Sequence, residues 1–92
     1  MTHEFKIERI YFEPKLKGEK SFEIRYNKDR EFQKGDVVLY REIAHPGVLC
    51  LNTGRELWCE ITFVTSFQQK EGWVVFGDRI CEAPSEGKNA ES

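Results

Sequence analysis

The sequence predicts a mainly β fold with one or two short helices, an α+β chain whose sheet rolls into a small pseudo-barrel of about five to six strands. Three observations lead there. A long run, Arg55 to Phe67, alternates with period two: Leu57, Cys59, Ile61, Phe63, Thr65 and Phe67 on one face, Trp58, Glu60, Thr62 and Val64 on the other. A second β run, Val37 to Ile43, follows a Gln33-Lys34-Gly35-Asp36 turn. Helical spacing is confined to one stretch, Ile10 to Lys17, which is too short to build a bundle. The length of the Arg55–Phe67 run implies strong bending, as when a sheet coils into a barrel.

Taken in order, Glu4 to Ile7 reads as a short strand with Phe5 and Ile7 on one face. His3 before it reads as a terminal residue without fixed structure, with a ligand-facing role as the alternative. Within Ile10 to Lys17, Pro14 fits the first turn of a helix beginning near Glu13, or a kink there. Gly18 suits the C-cap, and Lys15 and Lys17 complement the helix dipole. Phe22 to Tyr26 is the next strand, followed by the polar connection Asn27 to Glu31 and by Phe32, which anchors that loop to the core. In Val37–Ile43, Val37, Leu39 and Arg41 alternate with Val38, Tyr40 and Glu42, so the strand reads as buried early and amphipathic later. Ala44 to Gly54 carries two turn signals, His45-Pro46-Gly47 and Asn52-Thr53-Gly54, and reads as an excursion between long strands. Gln68 to Gly72 is a turn, and Trp73 to Phe76 the last strand. Residues 1–81 form one domain. From Glu82 to Ser92 no apolar periodicity remains, and a disordered acidic tail is expected.

Composition bounds the function. Ninety-two residues suit a single domain, and a chain of this size buries only roughly 60–65% of its unfolded surface. The 39% hydrophobic and 13% aromatic content supports a folded protein. No apolar run approaches the ~20 residues that span a bilayer, so a cytoplasmic protein without a membrane role is expected. Net charge is -2 and the pI about 5.7, which argues against a basic surface coating phosphates. The tail accounts for that charge, leaving a body with 13 positive and 13 negative residues. Any RNA site is therefore expected to be small and pocket-like.

Cys50, Cys59 and Cys81 form no C-x-x-C pair, and His45 offers them no regular metal-ligand spacing. Reduced, mostly buried thiols are expected, with no metal and no cofactor. His45 reads as an exposed loop residue rather than a base. Trp58 suits packing better than the stacking of a nucleic-acid base.

The chemistry concentrates in Gly18-Glu19-Lys20-Ser21-Phe22-Glu23-Ile24-Arg25. On a strand, Phe22, Ile24 and Tyr26 share one face and Ser21, Glu23 and Arg25 the other, so Glu23 and Arg25 are neighbours. The bland reading is a half-exposed strand with a solvated charged face. The pattern G-x-K-x-F-E-I-R, with Asn27, Asp29-Arg30, Phe32 and Gly35-Asp36 behind it, resembles the ASCH domain of the PUA-like superfamily. It is most similar to a small bacterial and phage branch. His3-Glu4-x-Lys6 and Glu71-Gly72-Trp73-Val74-Val75-Phe76-Gly77 extend the resemblance from His3 to about Ile80.

The resemblance implies a barrel-like fold with a cleft, and RNA or a nucleotide as ligand. Lys20, Glu23, Arg25, Asp29 and Arg30 are the candidate binding residues: Lys20 and Arg25 for phosphate or base, Glu23 to accept from a base amine, Arg30 for phosphate. A protein-interaction or regulatory module without a nucleic-acid ligand ranks second, and under either reading a monomer is expected. An amidohydrolase acting on a modified cytidine ranks third. There the resemblance makes Lys20 the base, but the relatives' nucleophilic Thr falls at Glu23, which can at best guide a water.

Overall fold

Among the described residues, five strands and one helix succeed one another: β1 (Thr2–Glu8), α1 (Arg9–Leu16), β2 (Phe22–Tyr26), β3 (Val37–Ile43), β4 (Asn52–Thr65) and β5 (Trp73–Ile80). They are seen in a computed structural model that describes residues 1–27, 30–44 and 51–84. All strands join one sheet in the order β1-β3-β4-β5-β2. The β1–β3 pair is parallel and the other three are antiparallel. β1 and β2 are therefore the two edges, and the sheet curls until these edges approach. The Arg25 guanidinium on β2 lies 4.1 Å from the ring centre of Phe5 on β1. The result is a half-barrel, mainly β, with the helix near its open seam.

The core lies inside the curl. Ile7, Phe12, Phe32, Val38, Tyr40, Leu57, Cys59, Ile61, Val74 and Phe76 are buried together. Phe32 takes its anchoring place, its ring 4.9 Å from Phe76 and 4.6 Å from His3. Burying these apolar groups is the dominant favourable term of the fold.

Several expectations shift at element ends. β1 starts at Thr2, because every residue to Glu8 pairs with one of β3. That pairing draws His3 inward to 4% exposure, where its Nε2 sits 2.9 Å from Asp36 Oδ2. A terminal residue without fixed structure is thus corrected to a buried, hydrogen-bonded one. β4 starts at Asn52, since Asn52 pairs with Ile43 across a register shift. Gly54, at φ +96, absorbs that shift, so Asn52-Thr53-Gly54 is a bulged strand and not a turn. A second shift, between Ile61 and Phe63, turns Phe63 outward to 64% exposure while Ile61 stays buried. This is the bend that the long run required. β5 continues past Phe76 to Ile80, because β4 supplies partners as far as Cys59.

The helix also differs. It begins at Arg9, so Pro14 lies inside it and not in the first turn. Proline removes one hydrogen bond from so short a helix. The chain then closes with Gly18 at φ +79, its N–H donating to the Lys15 carbonyl, while Glu19 N–H donates to the Pro14 carbonyl at 2.8 Å. Phe12 is fully buried, and Lys15, one turn later, follows it into the interior.

The loop residues His45 to Cys50, Asp29 in the polar connection and the tail from Ser85 lie outside the described residues. Among the described residues, no helix is long and apolar enough to cross a membrane.

Candidate functional site

β2 reverses the ordinary arrangement of an amphipathic strand. Its apolar residues face out, with Phe22, Ile24 and Tyr26 at 46%, 52% and 46% exposure, while Glu23 is buried at 5%. The solvated charged face is corrected accordingly. Glu23 turns inward because cations wait there, and a buried carboxylate is tolerated only when paired and hydrogen-bonded.

Three cations surround Glu23. Lys20 Nζ donates to its Oε2 at 2.7 Å, and Lys15 Nζ lies 3.3 Å from the same atom. Arg25 Nη2 donates to Oε1 at 3.3 Å. Lys20 is fixed further by the Phe22 carbonyl at 3.1 Å, and sits beside the rings of Phe22 and Tyr11 at 5.1 and 5.7 Å. Arg25 and Arg30 both lie over the Phe5 ring, at 4.1 and 4.6 Å, and the buried Arg25 Nε has no hydrogen-bond partner among the described residues.

Beneath this layer is a second one. Lys15 Nζ donates to both oxygens of Asp78 at 3.0 Å and to the Lys20 carbonyl at 3.2 Å. The Tyr40 hydroxyl donates to Asp78 Oδ2 at 2.5 Å. Burial, and then the nearby Asp78 carboxylate, push the Tyr40 phenol far above its usual range, so it stays a donor. Lys15, Lys20 and Arg25 outnumber Glu23 and Asp78, so the cluster carries a net positive charge within a body whose formal charges balance.

Lys20, Glu23 and Arg25 line one cleft of about 330 Å³ with Ile7, Tyr11, Phe22 and Ile24, at the seam between the sheet edges. Arg30 stands near through Phe5. Asp29 lies outside the described residues. A larger hollow, about 680 Å³, lies at the other end of β2, lined by Tyr26, Thr65, Glu71 and Trp73 among others. Among the described residues, its lining holds no cation. Trp58 is half-buried on β4 and lines neither.

Sequence reasoning missed Lys15, Tyr40 and Asp78. Lys15 had a sufficient explanation at the helix C-terminus. Asp78 lay past the expected end of β5, although continuing the alternation of Val74 and Phe76 by two residues reaches it. A further charged group is Glu42, wholly buried at the far end of β3. It accepts from Arg55 Nε at 2.9 Å, Thr53 Oγ1 at 2.6 Å and Arg9 Nε at 3.2 Å.

Among the described residues, no group of three or more His, Cys, Asp or Glu side chains is arranged to hold a metal ion. No curated protein matches the chain. The family model described as "Domain of unknown function (DUF3850)" matches residues 2–77, which takes in both layers of the cluster except Asp78. The chain belongs to that family.

Proposed function

We propose that the protein is a small cytoplasmic RNA- or nucleotide-binding module of the ASCH type, with the Lys20–Glu23–Arg25 cleft as its ligand site. The observation that carries this reading is the placement of the partly buried Lys20 ammonium beside the Tyr11 and Phe22 rings, in a locally cationic cleft. Tyr11 and Phe22 offer stacking surfaces, and Lys20 and Arg25 offer charge-assisted donors to phosphate or a base carbonyl. The cleft volume falls at the lower end of ordinary small-ligand sites, about 300–1,000 Å³, and so fits one nucleotide better than a duplex. Glu23 holds the two cations apart and in place, and its own acceptor capacity is largely used by them. Its part in the reading is therefore positioning more than base recognition.

The hydrolase reading receives no comparable support. Among the described residues, no Ser, Thr or Cys side chain lines this cleft, and Glu23 is engaged by three cations. An interaction module has one observation in its favour, the apolar outer face of β2.

The test is an amide NMR titration with a short single-stranded RNA and, separately, with cytidine nucleotides at moderate salt. Shifts clustered on Tyr11, Lys20, Phe22, Glu23 and Arg25, and lost in Lys20→Ala/Arg25→Ala, are expected. No shift at millimolar ligand overturns the reading.

A further inference from the structure

β2 is an edge strand, and among the described residues nothing pairs with its outer side. The Ser21 carbonyl accepts from Asp78 N–H at 3.1 Å and Asn27 N–H donates to the Gly72 carbonyl at 2.7 Å, so the odd-numbered residues of this segment bond to β5. By alternation, the backbone groups of Phe22, Ile24 and Tyr26 point to the open edge. The Lys20 bond to the Phe22 carbonyl agrees with that. The strand holds no proline and no bulge, the usual devices that blunt an edge.

Its sequence, Phe22-Glu23-Ile24-Arg25-Tyr26, reads as a physical palindrome. We infer that β2 is a self-association edge, pairing antiparallel with β2 of a second copy of this chain about a two-fold axis through Ile24. In that register Ile24 faces Ile24, Phe22 faces Tyr26, and Glu23 faces Arg25. Inward-pointing charges ordinarily protect an edge, because pairing would strand them against an apolar or like-charged neighbour. Here the two-fold operation sets each charge against its opposite, on both sides of the axis. Arg25 Nε, without a hydrogen-bond partner among the described residues, also gains a carboxylate neighbour.

The ladder is equally self-consistent. The edge-facing residues meet as hydrogen-bonded pairs that exchange both bonds, Ile24 with Ile24 at the axis and Phe22 with Tyr26 on either side. The Phe22 carbonyl thus accepts from the facing Tyr26 N–H as well as from Lys20 Nζ, one donor for each of its two lone pairs. The outer apolar face then becomes continuous across the axis. In one copy it already includes Phe22, Ile24, Tyr26, Trp73 and Phe63. Exposed apolar surface of that extent marks an interaction site.

This inference rests on the strand edge and not on the nucleotide reading: the Lys20–Glu23–Arg25 cleft opens along that same edge, so the paired edge and an occupied cleft compete, and the test contains no nucleotide. Two cysteines are first replaced (Cys50→Ser and Cys81→Ser); Cys59 stays, being 1% exposed with its thiol pushed up to about 12 by burial. Into that background Ile24→Cys, Phe22→Cys or Tyr26→Cys is introduced singly. Hydrogen-bonded antiparallel partners have Cα atoms about 5.5 Å apart, within disulfide reach. Mild oxidation should give a covalent dimer of Ile24→Cys. Phe22→Cys and Tyr26→Cys should cross-link to each other when mixed and not to themselves. Sedimentation of the unmodified chain should show a concentration-dependent dimer that Ile24→Lys converts to monomer without change in circular dichroism. A monomer at every concentration, or cross-linking of Phe22→Cys alone as fast as Ile24→Cys, overturns the inference.

Discussion

The ammonium of Lys15 on the only described helix bonds symmetrically to both carboxylate oxygens of Asp78 on the last strand, at 3.0 Å each, across 63 residues of sequence. Both side chains are almost wholly buried. This pair ties α1 to the far end of the sheet. It also forms the floor on which Glu23, and through it Lys20 and Arg25, are set.

Lys15→Met should destabilise the protein by about 3–5 kcal/mol, because it leaves Asp78 and Glu23 buried with one cation fewer. Urea denaturation measures this. Lys15→Met/Asp78→Asn should recover part of the loss, since it removes the stranded charge. A single-variant cost below about 1 kcal/mol, the scale of an exposed pair, would place the ammonium in solvent instead.

Acid should destabilise the fold through Glu42. Hydrogen bonds from Arg55, then from Thr53 and Arg9, outweigh burial and hold its carboxyl at about 2, against 4.5 for an ordinary glutamate. A depressed folded-state value means that the stabilisation is complete above the unfolded value. It is lost as pH falls from 4.5 through about 2. Asp36 acts in the same direction: burial raises its carboxyl, but bonds from His3, the Gln33 N–H and the terminal amine lower it overall. Stability measured against pH should fall on the acid side, and Glu42→Gln should flatten that limb while lowering stability at neutral pH.

Gly72→Ala should cost about 1–2 kcal/mol from its left-handed backbone alone, φ being +86. An added Cβ would also meet Tyr26 Cε1 at 2.7 Å, so the ring must swing aside. Gly35→Ala serves as reference, having φ +95 and open space around it. Thermal or urea denaturation of both variants separates backbone strain from the Tyr26 contact. Equal losses would show that the contact relaxes freely.

The candidate site was half legible in the sequence. G-x-K-x-F-E-I-R placed Lys20, Glu23 and Arg25 together through one turn and one strand, a local relationship that period-two geometry conveys. Phe22, Ile24 and Tyr26 were equally legible as one face. The alternation gave no indication that they face out, because it distinguishes the two faces of a strand without saying which one meets the core. That choice follows from Lys15 and Asp78, which come from a helix before the strand and a strand after it.

What the sequence by itself determined is the set of elements: one short helix ended by Gly18, the β runs, and the long strand that has to bend. Local propensity, turn chemistry and periodicity act within a few residues, and all are written along the chain. Only the tertiary structure decided the inward turn of Glu23, the burial of His3, Lys15 and Glu42, and the extension of β5 to Asp78. Most of these depend on a partner far along the chain: Asp36 for His3, Asp78 for Lys15, and Arg9 among the partners of Glu42. A buried charge is stable only where its counter-charge arrives, and the folding of the sheet alone brings the two together.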